Sequence, residues 1–149
     1  MRRSKRVVAV ALVALCGLSA GAVASASAET PAKKKPATIT IKPSKNLTDG
    51  QTITVTGKYH PKSASLGITE CADKGDQTGA ADCNLGAIKS VKSNKKGEVT
   101  AKFKVALGPF GENNIVCNDA TTAPDGCVVS LGPLAEGGQH PSKRITFAS

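Results

Sequence analysis

The sequence predicts an all-β domain, a two-sheet sandwich of about seven short strands. Three observations lead there. Apolar residues recur with a period of two, with almost no helical periodicity, from residue 37 onward. Clusters of Gly, Pro, Asn, Asp and Ser punctuate these runs, as turns between short strands do. Beyond residue 28 the four cysteines fall into two close pairs, Cys71 with Cys83 and Cys117 with Cys127, each bracketing a polar, Gly-containing loop.

The elements follow in order. Ala37, Ile39 and Ile41 alternate with Thr38, Thr40 and Lys42, and Pro43, which has no N–H to give a ladder, ends the run. Thr48-Asp49-Gly50 supplies a turn, after which Ile53 and Val55 alternate with Thr52, Thr54 and Thr56 up to Gly57. Leu66 and Ile68 lead into Cys71. A weaker segment holds Ile88 and Val91, and a turn at Asn94-Lys95-Lys96-Gly97 precedes the clearest strand. There Val99, Ala101, Phe103 and Val105 point one way and Glu98, Thr100, Lys102 and Lys104 the other. Three more short strands are expected over residues 114–117, 127–131 and 144–147. No internal repeat is visible.

Residues 1–28 read differently. Arg2, Arg3, Lys5 and Arg6 precede an apolar run of 12 residues, Val7 to Leu18, followed by small residues, the pattern of a secretory signal peptide. The run is well short of the roughly 20 residues a membrane-spanning helix needs. Cleavage is expected after Ala28, with Ala26 as the second site. Cys16 follows Leu15, too large for a lipoprotein peptidase pocket, so lipid attachment is set aside. The division is therefore 1–28 signal peptide, 29–36 a flexible tether rich in Lys and Pro, and 37–149 the folded domain. The first segment carries four basic and no acidic groups, so its removal lowers the formal charge from +9 to +5. A secreted, soluble, basic monomer is expected, one that meets anionic polymers such as DNA weakly and without regard to sequence. Lys33 to Lys35, Lys102, Lys104, Lys143 and Arg144 are the groups that would offer charge to phosphates.

The chemistry of the chain is sparse. There is no G-x-S-x-G elbow and no phosphate-binding G-x-x-x-x-G-K-[ST] loop, and no enzyme is expected. Aromatic residues make up 3%, with no Trp, too few for a row of stacking platforms on single-stranded nucleic acid. An even number of cysteines in an exported chain favours disulfides over metal or thiol catalysis. Four cysteines allow three connectivities; pairing Cys71 with Cys83 and Cys117 with Cys127 would staple each loop to itself, worth on the order of 3 kcal/mol per loop on a chain-entropy model. Zinc would want closer cysteine spacing and histidine partners, whereas His60 and His140 stand beside Pro61 and Pro141 in turns. Asp73, Asp76 and Asp82 surround Lys74, and their spacing does not match a calcium loop, so a solvated loop is the expectation. Asn46-Leu47-Thr48 is formally a glycosylation acceptor on a tight turn.

The chain resembles the neocarzinostatin family of enediyne chromoprotein apoproteins. The most specific block is A-T-I-T-I-K-P-S-K-N-L-T-D-G over residues 37–50, followed by I-T-V-T-G over 53–57. Cys71-Ala72, Asp82-Cys83-Asn84, the Gly97 turn into Phe103-Lys104-Val105, the Cys117 to Cys127 loop with Val129 and Leu131-Gly132, and the closing Ile145-Thr146-Phe147 are similar too. The resemblance implies a seven-stranded immunoglobulin-like sandwich with two local disulfides, Cys71 to Cys83 and Cys117 to Cys127. It also implies a deep cleft holding an apolar chromophore noncovalently, with no other cofactor, and an association with antibiotic action and DNA. Burying an apolar ligand in such a cleft is favourable by about 25 cal/mol for each Å² removed from water.

Carried over position by position, the cleft would be lined by Ala81, Ile88, Phe110 and Val128, with the bridge of Cys71 and Cys83 in its wall. Two departures stand out. The family has an aromatic side chain two residues after the first loop cysteine, where this chain has Asp73, and another where it has Ile88. Two function readings follow: a carrier of a small apolar ligand with an aliphatic rather than aromatic cleft, or a chromophore-free immunoglobulin-like module of the cell surface that adheres to anionic polymer.

Overall fold

The computed structural model describes residues 34–134 and 138–149; the expected signal peptide, and residues 29–33 of the expected tether, lie outside them. Among the described residues seven strands form: β1 (Thr38–Lys42), β2 (Thr52–Lys58), β3 (Ser65–Ala72), β4 (Lys89–Lys92), β5 (Val99–Lys104), β6 (Cys127–Pro133) and β7 (Ser142–Ile145). They make two antiparallel sheets, ordered β1-β2-β5 and β4-β3-β6-β7. This is the sandwich expected from the alternating pattern.

The period of two does what it should. Ile41, Ile53, Val55 and Phe103 from the first sheet, with Val105 just after β5, meet Leu66, Ile68, Val129, Leu131 and Ile145 from the second, all buried in one core. The Thr and Lys residues between them face outward on β1, β2 and β5. The β1–β2 connection adds Leu47, fully buried, whose amide donates to the Thr146 carbonyl at 2.9 Å while its carbonyl accepts from Ala148 N–H at 2.8 Å. These bonds tie the first loop to the tail after β7. The nominal glycosylation turn is thus anchored at its centre by a core leucine.

Three details differ from the sequence reading. Residues 114–117 do not form a strand, because Gly108, Gly111 and Asn114 all take positive φ and fold the segment into a compact loop closed by one antiparallel bridge, Phe110 with Ile115. The last strand begins and ends two residues earlier than expected, and Phe147 makes only a parallel bridge with Leu47. The first cysteine loop is not merely solvated: it folds into 3-10 turns over Gly75–Gln77 and Ala80–Asp82. Its Asp82 is buried, ion-paired with Lys74 at 2.6 Å and bonded by the Gly79 amide and the Asn113 side chain. Those donors, the Gly79 amide foremost, hold its carboxyl down to about 2.

Both disulfides form as local staples, Cys71 with Cys83 and Cys117 with Cys127. Beside them lies Glu70, which the alternation of β3 points into the core; it is fully buried and its Oε2 accepts from the Ala106 amide at 2.9 Å. Burial is the main cause that lifts its pKa to about 7, opposed by the Ala106 amide and aided by Asp49.

The folded state therefore holds a proton on Glu70 between its ordinary value of 4.5 and about 7, where the unfolded chain has released it. Stability present below 4.5 is lost as pH rises through 7, in all about 3 kcal/mol. Glu70→Gln removes this dependence: urea unfolding at pH 5, 6, 7 and 8 should show wild-type stability falling relative to the variant. Parallel pH profiles for the two proteins would contradict it.

Candidate functional site

The outer face of the four-stranded sheet brings together Cys71, Ile88 and Val128, three of the positions expected to line a cleft. Because β3 and β6 pair antiparallel, residues directly opposite share a face, and three such pairs point outward: Gly67 with Gly132, Thr69 with Ser130, and Cys71 with Val128. The row continues across β7, where Ser142 stands opposite Ser130 and Arg144 opposite Val128. Small side chains make a low floor. Larger ones flank that floor, which we call the trough.

At one end the trough is roofed by chain that returns from other elements. A Cβ on Gly67 would meet the side chains of Leu134 and Ile88, and one on Gly132 would collide with the His140 ring. The glycines are therefore required for these three side chains to lie against the sheet. Ile88 and Leu134 remain 39% and 53% exposed, which makes them an apolar wall open to solvent rather than part of the core. At the other end stands an ion pair. Asp73 accepts from Arg144 Nε at 3.1 Å and from Nη2 at 2.6 Å, and this pairing raises the guanidinium's affinity for its proton. Asp73 is thus engaged across the sheet end, beside Val128.

The six positions singled out from sequence are distributed as follows. Cys71, Cys83 and Val128 lie together, through the disulfide and the β3–β6 register. Ile88 sits farther along the same face, over Gly67. Ala81 is half-buried in the first cysteine loop, its carbonyl accepting from Asn113 N–H at 3.2 Å. Phe110 is 8% exposed and packs into the core. Gly67, Thr69, Ser130, Leu134, His140 and Arg144 were not singled out as lining residues. The signal available was the run of small residues at alternate positions in β3 and β6, opposite apolar partners.

Two hollows lie off this face. One, of about 490 Å³, runs between the edges of β4 and β5 and includes Asp49, Lys89, Lys102 and Lys104. The other, of about 770 Å³, lies at the end of the sandwich where β2 turns into β3. Among the described residues no three His, Cys, Asp or Glu side chains gather as a metal site would need, and no helix is long and apolar enough to cross a membrane.

Comparison with known proteins agrees with this architecture. Residues 39–147 match the model of the neocarzinostatin family. Among solved structures, macromomycin superposes with a TM-score of 0.59 at 23% identity, over 75% of this chain and 99% of its own. The solution structure of apokedarcidin superposes with a TM-score of 0.54 at 28% identity, over 76% and 99%. No curated protein matches the chain.

An open wall and a packed core respond differently to truncation. Ile88→Ala should cost less than about 1 kcal/mol, whereas Ile68→Ala, fully buried on the inner face of the same sheet, should cost about 2 to 5 kcal/mol. Chemical denaturation of the two variants measures both; equal losses would mean Ile88 is a core residue.

Proposed function

The chain belongs to the neocarzinostatin family, and on that premise we propose that it is an exported, non-enzymatic carrier that holds a small apolar ligand in the trough on the outer face of its four-stranded sheet. The observation that supports this most directly is the pairing of Gly67 with Gly132 beneath the exposed side chains of Ile88 and Leu134. Apolar side chains at a solvent-facing edge gain from a ligand that removes them from water. The floor of Thr69, Ser130 and Ser142 adds hydroxyls that orient polar groups on such a ligand.

The ligand in this reading is matched to an aliphatic wall. Asp73 and Ile88 offer no ring on which a flat chromophore stacks, and the Asp73–Arg144 pair offers charge-assisted bonds to a polar substituent at one end. An enediyne-like chromophore and a role in antibiotic storage or protection are what membership suggests. The contribution of charge to any DNA encounter is weak and indifferent to sequence, and it comes from Lys102, Lys104 and Lys143 more than from Arg144, whose charge Asp73 already meets.

A panel of apolar polycyclic compounds tests the carrier reading by thermal melting. A compound present at a hundred times its dissociation constant stabilises the fold by about 2.7 kcal/mol and should raise the melting temperature clearly. Ser130→Phe, which fills the trough from an outward-facing position, should abolish that rise while leaving the free protein folded. If no compound raises the melting point, or the variant responds as the wild type does, the cell-surface module that adheres to anionic polymer is the better account.

A further inference from the structure

The sandwich is electrically uneven from end to end. Both disulfides lie at the end where β3 finishes and β6 begins. At the opposite end the approach to β1, the β2–β3 turn and the β4–β5 turn come together, carrying Lys34, Lys35, Lys62 and Lys96. These four lysines line the hollow of about 770 Å³, with Ala37, Tyr59, His60, Pro61 and Gln139. Among the described residues no carboxylate lines it, and the two ion pairs found among them involve other cations. Glu98, just before β5, accepts from Asn94 Nδ2 at 3.2 Å.

The walls of the hollow are held in place. His60, placed in a turn by its sequence, is buried at 4% exposure, its ring taking the space that a Cβ on Gly57 would fill. Its Nε2 lies 3.2 Å from the Thr38 carbonyl and its amide donates to the Gly97 carbonyl at 3.0 Å, so one residue fastens β1, β2 and the β4–β5 turn. Ser93 Oγ donates to the Pro61 carbonyl and accepts from Ala64 N–H, and Ala37 N–H donates to Gln139 at 2.7 Å. Tyr59 is fixed in the left-handed region, at φ 62°, a conformation that costs a non-glycine residue energy. Its ring stays half exposed, with the Lys35 ammonium 5.3 Å from its centroid.

We propose that this end is a second binding site, separate from the trough, for a compact oligophosphate anion such as a di- or triphosphate group, bound by Lys34, Lys35, Lys62 and Lys96 around Tyr59. Four like charges line one hollow, and a single ligand carrying several negative charges meets them together. Monovalent anions gain little there, because salt screens isolated charges beyond about 8 Å at physiological ionic strength. Lysine ammoniums on separate segments bind phosphate as point charges, without the fixed geometry a guanidinium imposes. The phosphate chain is the shared chemistry, whether it comes as inorganic polyphosphate or as a nucleotide whose base rests on Tyr59.

Calorimetric titration of the disulfide-intact chain with tripolyphosphate, ATP and AMP at physiological ionic strength tests the site. Tripolyphosphate and ATP should bind at one site, and AMP about tenfold or more weaker. Lys62→Ala with Lys96→Ala should weaken tripolyphosphate by about tenfold or more, while Lys45→Ala with Lys89→Ala, which removes the same charge elsewhere, should leave it nearly unchanged. Equal affinities for ATP and tripolyphosphate identify the phosphate chain alone; a tighter ATP complex that Tyr59→Ala returns to the tripolyphosphate level identifies a nucleotide. Absence of saturable binding, or equal weakening by both double variants, would overturn the proposal.

Discussion

The register of β3 against β6 is the constraint on which the molecule depends. Setting Gly67 opposite Gly132 puts Ile68 and Leu131 into the core and Thr69 and Ser130 onto the outer face. A slip of one residue would exchange the two sets, burying hydroxyls and exposing the largest aliphatic side chains. Core and trough are therefore two sides of a single pairing. The disulfide of Cys71 and Cys83 holds the same strand at its end, with Cys71 facing outward opposite Val128 and Ala72 facing inward opposite Cys127.

Charge is distributed around that frame with different consequences at each place. Glu70, on the inner face of β3, is tolerated because the Ala106 amide meets one oxygen and because it holds its proton to about pH 7. It ties the segment after β5 to the central strand at a cost that grows with pH. Asp82 and Asp73, at the end of the sandwich near the disulfides, are paired with Lys74 and Arg144. The lysines at the far end have no such partners among the described residues. Burial lowers the pKa of His60 there, and lysines supply the cationic side chains of that end.

Most of the fold was legible from the sequence because strands with one buried face must alternate; Val99, Phe103 and Val105 could hardly be arranged otherwise. The local disulfides were legible through the family resemblance, since four cysteines alone leave three connectivities open. Residues 114–117 misled because Ile115 and Cys117 are buried at alternate positions in a loop whose course is set by backbone angles at Gly108, Gly111 and Asn114. The candidate site was legible in part. Val128 and the bridge of Cys71 and Cys83 follow from pairing, but Leu134, His140 and Arg144 arrive from chain beyond β6, and no periodicity encodes where that chain returns. The glycines inside β3 and β6 were the readable trace of that return, since a glycine within a strand commonly marks a close approach.

The claim that joins these findings is that the outer face of the four-stranded sheet is the ligand-binding face of this member of the neocarzinostatin family. Amide chemical-shift mapping of the isotopically labelled protein with a bound apolar polycyclic compound tests it most directly. The account predicts perturbations concentrated at Gly67, Thr69, Cys71, Val128, Ser130 and Gly132, with contacts from the ligand to the Ile88 and Leu134 methyl groups. Perturbations confined to the hollow around Tyr59, or to the groove between β4 and β5, would contradict it.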